Sequence, residues 1–319
     1  MPTVAVGALY PNGTTMTLDD ILTKGTDPEV LGDGYGFTEG PAADRLGNVY
    51  FSDGKNDSIH RWEPGRPPAL FVDDSLDANG MMFNADGDLY VCEGAAYRIV
   101  AFDVSTRGDC PNFRLSENGT VPFGAGKRVL CSEIDGRHFN EPNDLAIDFY
   151  GGFYFSDPNY QHRGQPTVMK QDVYYCSARG KVTRVSTICF KPNGVLLSAD
   201  DRTLYVADSR GQTIWRYDVT GAGQLAGERL WIDRLAANPD GLTLDEYDNL
   251  YVCCGKAGLK IFDREARPID QIDVHAANCT FGATDFRTLC IASADKFLGL
   301  RTKVTGLKPL ALRCPKKQA

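Results

Sequence analysis

Histidine is scarce in this chain, with four in 319 residues, and no two of them stand at metal-ligand spacing. No CxxC pair with zinc spacing occurs either, so nothing supports a structural zinc site. No apolar run approaches the roughly 20 residues of a membrane-spanning helix. The opening stretch MPTVAVGALYPNGTT lacks the charged start and long apolar core of a signal peptide. Basic residues are outnumbered, 34 against 42 acidic, for a net charge of -8; this argues against nucleic acid or an anionic membrane as partner. Low-complexity linkers are absent, and helical periodicity is rare enough to exclude an α-solenoid. The expectation is a soluble, cytoplasmic protein that binds a small molecule. Its ten cysteines and its four Asn-x-Ser/Thr sequons, starting at Asn12, Asn56, Asn118 and Asn278, leave secretion or a periplasmic location open.

What the chain has in abundance is one short strand, repeated. It reads GNVYFSD (47–53), GDLYVCE (87–93), GGFYFSD (151–157), RTLYVAD (202–208), DNLYVCC (248–254) and RTLCIAS (287–293). Six to nine residues before the start of each begins a second motif: EGPAADR, NGMMFNA, NDLAIDF, NGVLLSA, DGLTLDE and FGATDFR. Two apolar runs around a Gly, Asp or Asn-rich turn signal an antiparallel hairpin. The strand motifs begin at 47, 87, 151, 202, 248 and 287, a spacing that fits four-stranded blades with variable loops and is far too long for a parallel β-helix. The fold expected is all-β: a six-bladed β-propeller forming a single domain over residues 1–319, with blade hairpins near 39–53, 79–93, 143–157, 193–208, 240–254 and 281–293. The run from Thr3 to Leu9 is the expected outer strand of the last blade, closing the ring.

Five of the six units open on a residue with a side-chain oxygen: Glu39, Asn79, Asn143, Asn193 and Asp240, with Phe281 breaking the series. Around an axis these form a ring. Constant residue sums in a hairpin place Glu39 across from Asp53, Asn79 from Glu93, Asn143 from Asp157, Asn193 from Asp208 and Asp240 from Cys254, so a second, acidic ring flanks the first. The loops leaving that second ring start on the same face and mark it as the mouth of a pocket.

Glu39, Asn143, Asn193 and Asp240 offer four hard oxygens whose summed charge balances a dication, and no His or Cys competes with them. Calcium fits best, with magnesium, manganese or zinc as alternatives. Asn and Asp before Gly are also ordinary turn residues, but five in phase exceed what turn chemistry asks for. Asn79 is assigned to the pocket wall. Asp240 is the expected catalytic residue, deprotonating the attacking water or attacking directly, with Asp144, Asp157 and Asp208 as alternatives. Asp144, Arg98, Tyr160 and His162 are expected to contact substrate, with Gln161 and Arg163 beside them on the rim. His60, His138 and His275 are read as structural. Cys92, Cys253, Cys254 and Cys290 fall in the repeated strands as small buried hydrophobes, whereas Cys110, Cys131, Cys176, Cys189, Cys279 and Cys314 could pair in an oxidising compartment.

These residues resemble a known family. EGP at 39–41, PNDLAID at 142–148, YFSDP at 154–158, PNG at 192–194, LYVADS at 204–209, PDGL at 239–242 and NCTFG at 278–282 are similar to the gluconolactonase, regucalcin and lactonohydrolase group of six-bladed propellers. The resemblance implies one divalent ion in a central pocket, held at the positions matching Glu39, Asn143, Asn193 and Asp240, with hydrolysis of lactones and an acid/base role for Asp240. The chain departs from the group after the second blade strand, where Cys92-Glu93-Gly94-Ala95 replaces a CEHG-like run. An organophosphate- or aryl-ester-hydrolysing propeller and a non-catalytic calcium-binding propeller are the competing readings.

Overall fold

A computed structural model describes residues 8–9, 15–104, 126–160 and 170–313. Among them are six four-stranded antiparallel sheets, each a meander in sequence order, except that the sixth takes its outer strand from the start of the chain. The inner strands, Thr38–Ala43, Ala78–Phe83, Leu145–Ile147, Pro192–Leu197, Leu242–Leu244 and Asn278–Gly282, touch one another in cyclic order, the last against the first. This closed ring of six sheets is a six-bladed β-propeller. No helix among the described residues is long and apolar enough to cross a membrane.

Closure uses a different segment from the one expected. Glu29–Asp33 pairs with Lys296–Arg301, while Ala8–Leu9 pairs with Thr15–Met16 in a separate small sheet; the rest of the 3–9 run lies outside the described residues. Glu29–Asp33 escapes a hydrophobicity search because it is an outermost strand with an exposed, polar surface. The apolar seal of this joint comes from deeper residues. Phe51 of blade one stacks on Phe297 of blade six with ring centroids 4.0 Å apart, beside buried Val49, Trp62 and Cys290. Each large apolar side chain so buried contributes about 1.5–3 kcal/mol.

Hairpin turns carry their own capping chemistry. Asp44 accepts the N–H groups of Leu46 and Asn48, Asp148 those of Tyr150 and Gly152, and Asp245 those of Tyr247 and Asn249. These side chains do the work of a turn's backbone; Asn84 does the same in blade two, accepting the N–H groups of Asp86 and Asp88.

The expected register holds near the turns and slips toward the axis. In blade one Ala43 faces Val49 and Ala42 faces Tyr50, but after a bulge Glu39 faces Ser52, and Thr38 faces Asp53. Blades two and four repeat the bulge, setting Ala78 against Glu93 and Pro192 against Asp208. The openers therefore do not face the acids, as constant sums require, but sit one step further on. A bulge re-aims a side chain in this way next to functional sites.

That offset gives the acids another task. Asp53 accepts the backbone N–H groups of Gly36 and Phe37, Asp157 those of Asn140 and Glu141, and Asp208 those of Phe190 and Lys191. In each blade the bonded pair lies three and two residues before the opener. The acids of the repeated FSD and VAD strands clamp the chain as it enters the inner strand of the same blade, which removes Asp157 and Asp208 from the candidate bases. Replacing Asp157 by Ala would strand two buried donors at about 1–3 kcal/mol each. Urea unfolding of Asp157→Ala is expected to show a loss of about 3 kcal/mol, with a smaller loss for Asp157→Asn, which keeps an acceptor oxygen.

Candidate functional site

Five residues at the axis are followed by Gly or Asp for a steric reason. A Cβ at Gly40 would collide with the Asn79 carbonyl, at Gly80 with the Asn143 carbonyl, at Gly194 with the Asp240 carbonyl and at Gly241 with the Asn278 side chain. Each of these glycines lets one blade's backbone approach the next blade's opener. Gly80 N–H donates to the Asn143 carbonyl at 2.6 Å, and Gly241 N–H to the Ala277 carbonyl at 2.9 Å. The Asn-Gly pairs are strand residues and Asp240-Gly241 leads directly into a strand at Leu242; at this crowded axis none of them is a hairpin turn.

The sixth member of the ring is Asn278, not Phe281. Asn278 faces Ala292 as Glu39 faces Ser52; Phe281 is out of phase, standing 12 residues before Ser293 where the other openers stand 14 or 15 before their strand ends. Phe281 is a fully buried core residue set edge-on to Tyr251. Asn278 hydrogen-bonds the Glu39 side chain and accepts the Cys279 N–H. The sequence did carry a signal, since Asn278 stands 15 residues before Ser293, as Asn193 does before Asp208.

Above the ring opens a cavity of about 1060 Å³ lined by Glu39, Asn79, Asn143, Asn193 and Asp240 together with the blade-entry and blade-exit loops. All four expected ligands and Asn79 thus meet in one place. Glu39, Asn143 and Asn193 are buried, and Asp240 is half-buried. Burial raises the Glu39 carboxyl to about 7, against bonds from Gly40 N–H and Asn278 that favour its charged form. Asp240 is pushed well above the usual carboxylate range, first by burial and then by the Glu39 charge. Asp144 rises to about 7 by burial, with Glu39 adding to it. Three acids thus crowd the axis, and no Lys or Arg among the described residues makes a salt bridge to them.

Asp144 does not enter the upper cavity. Its carboxylate accepts the Leu145 and Val195 N–H groups and faces a smaller cavity on the other side of the ring. It joins blade three to blade four where the other blades use Gly. Arg98 is likewise absent from the pocket lining: its Nε lies 2.7 Å from Oε2 of Glu93, whose other oxygen takes Lys127 Nζ at 2.6 Å. Glu93 is fully buried, and burying it requires both cations. Tyr160 does line the cavity and reaches deeper than a rim residue. Its hydroxyl accepts Asn193 Nδ2 at 2.8 Å, its N–H donates to Glu141 Oε2 at 2.6 Å, and Lys191 Nζ sits 3.8 Å above its ring. His162, with Gln161 and Arg163, lies outside the described residues.

Glu141, missed from the sequence, lines the pocket and anchors Tyr160. Cys254 also lines it, but burial raises its thiol to about 12, so it is protonated at neutral pH and cannot serve as a nucleophile. The eight described cysteines, including Cys131, Cys176, Cys189 and Cys279, are all free and buried. Cys110 and Cys314 lie outside the described residues. His60 bonds Ser58 and stacks on Phe51, and His138 lies on Tyr97; both are structural. Burial and Lys256 hold His275 below the usual imidazole range.

Among the described residues no three His, Cys, Asp or Glu side chains converge as a metal cluster. The ring instead combines Glu39 and Asp240 with carboxamides. That donor set fits a hard dication: buried carboxylates with no basic partner carry uncompensated charge, and the amide oxygens add neutral ligands.

Residues 37–295 match the sequence family described as SMP-30/Gluconolactonase/LRE-like region. A gluconolactonase of Zymomonas mobilis is 27% identical over 325 residues, covering 91% of this chain and 85% of that protein. The lactonase drp35 of Staphylococcus saprophyticus is 29% identical over 244 residues, covering 73% of this chain and 68% of its own length. Among solved structures, a gluconolactonase from Xanthomonas campestris superposes with a TM-score of 0.77 at 22% identity, covering 94% and 95% of the two chains. A calcium-binding regucalcin from Agrobacterium tumefaciens gives 0.71 at 17% identity, covering 90% and 97%. With its ring of oxygen side chains at the axis and a family match running through all six blades, this chain belongs to the SMP-30/gluconolactonase/LRE-like family.

Proposed function

We propose that this protein hydrolyses lactones at the floor of its axial cavity. The observation that carries the reading is the meeting of Glu39, Asn143, Asn193 and Asp240 under one wide opening, in a chain whose gluconolactonase relative aligns over nine-tenths of its length. Glu39, Asn143, Asn193 and Asp240 would hold a divalent cation, with calcium favoured because every donor is oxygen. When bound, that ion would supply Lewis-acid polarisation of the lactone carbonyl.

The remaining chemistry belongs to the side chains. In its charged form Asp240 accepts a proton from the attacking water as the water oxygen bonds to the carbonyl carbon. As the ring C–O bond breaks, the same proton passes from Asp240 to the departing alkoxide, leaving a hydroxy acid. Tyr160 holds the Asn193 amide in place, and Glu141 holds Tyr160.

The deciding assay is hydrolysis of a sugar lactone, an aromatic lactone, an aryl ester and a fluorophosphate, each with calcium and with chelator. Lactone turnover that depends on calcium is expected to exceed turnover of the other two classes by about 100-fold, the scale of one well-placed contact in the transition state. A larger rate on the fluorophosphate would transfer the site to organophosphate chemistry, and calcium binding without turnover would make the protein a binding propeller.

A further inference from the structure

Blades one and two contribute the apolar side chains Phe37, Leu76, Ala78 and Ala95 to the cavity lining, interleaved with Lys55, Asp57 and Asp77. Asp57 is bonded to the loop backbone, and Lys55 Nζ lies 5.8 Å from the centre of the Phe37 ring. Leu76 is held in an unusual way. Its φ is 55° and that of Asp77 is 57°, a left-handed pair that a branched side chain avoids because its Cβ crowds the following carbonyl. Among the described residues with positive φ, Leu76 is the one aliphatic side chain larger than alanine.

The backbone around it is fastened on both sides. Asp57 Oδ1 accepts the Asp77 N–H at 2.6 Å, and the Asp57 carbonyl accepts the Ser75 N–H. The Leu76 carbonyl takes the Ala95 N–H at 3.0 Å, and the Asp77 carbonyl takes the Gly94 N–H at 3.1 Å. Glycine or asparagine would satisfy the same bonds with less strain. A strained residue that lines a cavity and is locked by its surroundings points to a use for its side chain. The volume of about 1060 Å³ reaches the top of the roughly 300–1,000 Å³ range of pockets for drug-sized ligands, more than a bare lactone ring fills.

We propose that Phe37, Leu76 and Ala95 form a subsite for an apolar arm, so that the preferred substrate is a lactone carrying an alkyl or aryl substituent, its ring at the axis and its arm against blades one and two. This rests on the lactonase reading and adds the substrate class to it. Specificity comes from apolar surface removed from water along the arm, so it enters through KM.

The test compares δ-decalactone with δ-valerolactone, which share the ring and differ in one pentyl arm. The wild-type protein is expected to favour δ-decalactone by about ten-fold or more in kcat/KM, as several buried methylenes allow. Leu76→Gly and Phe37→Ala are each expected to cut that ratio about five-fold or more, chiefly through KM for δ-decalactone. Leu76→Gly should keep or raise the melting temperature, because glycine relieves the backbone; Phe37→Ala gives an independent reading should Leu76→Gly fold poorly. Equal kcat/KM for the two lactones in the wild type, or an unchanged ratio in both variants, would overturn the subsite and leave the lactonase reading standing. Hydrolysis of neither lactone, nor of the sugar lactone, would remove the lactonase reading and the subsite with it.

Discussion

Asp240→Asn is expected to lower kcat/KM for a lactone by about 10³-fold, within the range that a positioned acid/base contributes. The substitution keeps size and an oxygen ligand while removing the group that accepts and returns the proton. Asp240 is the axial acid open to the upper cavity at its floor: Asp144 is bonded into the blade three to four joint, and Asp157 and Asp208 are spent on backbone donors. Glu39 also lines the cavity, but its carboxylate is bound by Gly40 N–H and Asn278. Glu39→Gln should therefore weaken cation binding more than it slows a saturated enzyme, whereas Asp240→Asn should lower kcat even at saturating calcium. Measuring kcat across a calcium titration for both variants separates the two roles. Full turnover by Asp240→Asn at any calcium concentration would remove Asp240 from the proton transfers.

The repeat made the architecture readable. Strand alternation and turn residues recur six times, and six copies of a unit that cannot bury its own face must close on themselves. The openers could be read for the same reason, since a position at the axis recurs once per blade. What the repeat hid was local. The bulges of blades one, two and four leave no mark in a count of residues, so the expected facing pairs were shifted by one and the acids were placed as a second ring in the pocket. In blade six the opener is Asn278, in phase with the others, and Phe281 lies in the core. The closing strand Glu29–Asp33 was missed because an outermost strand needs hydrogen-bond partners more than apolar side chains.

The rim residues fared unevenly for a related reason. Hairpin arithmetic places a loop on the correct face without saying where each side chain turns. The Tyr160 hydroxyl reaches the floor because Glu141 accepts the residue's backbone N–H and the Asn193 amide donates to the hydroxyl oxygen. Arg98 begins a strand on the same face but is claimed by Glu93, a buried acid that must be paired. Burial of the acid decides the matter, and burial is a property of the folded ring.

Chelation should inactivate the protein and destabilise it, and the size of the second effect should depend on pH in a defined direction. In the cation-free protein Glu39 has a folded value of about 7 against an ordinary 4.5, and burial and the Glu39 charge also hold Asp240 well above the usual carboxylate range. A carboxyl whose folded value is raised contributes stability that is fully present below its unfolded value and lost as pH rises through the folded one. The chelated protein is therefore expected to lose melting temperature between about pH 4.5 and 7 as these buried acids are forced to ionise without a partner. Calcium reverses the trend, because the charged carboxylates are its ligands and binding releases their protons. At calcium about 100-fold above its dissociation constant the added stability is about 2.7 kcal/mol, or roughly 4 °C for a domain of this size. That increment should be small at pH 5 and largest at pH 8, read by paired thermal scans with calcium and with chelator. Parallel melting curves across the pH range would show that no cation sits on Glu39 and Asp240, and activity surviving chelation would separate hydrolysis from the ring altogether.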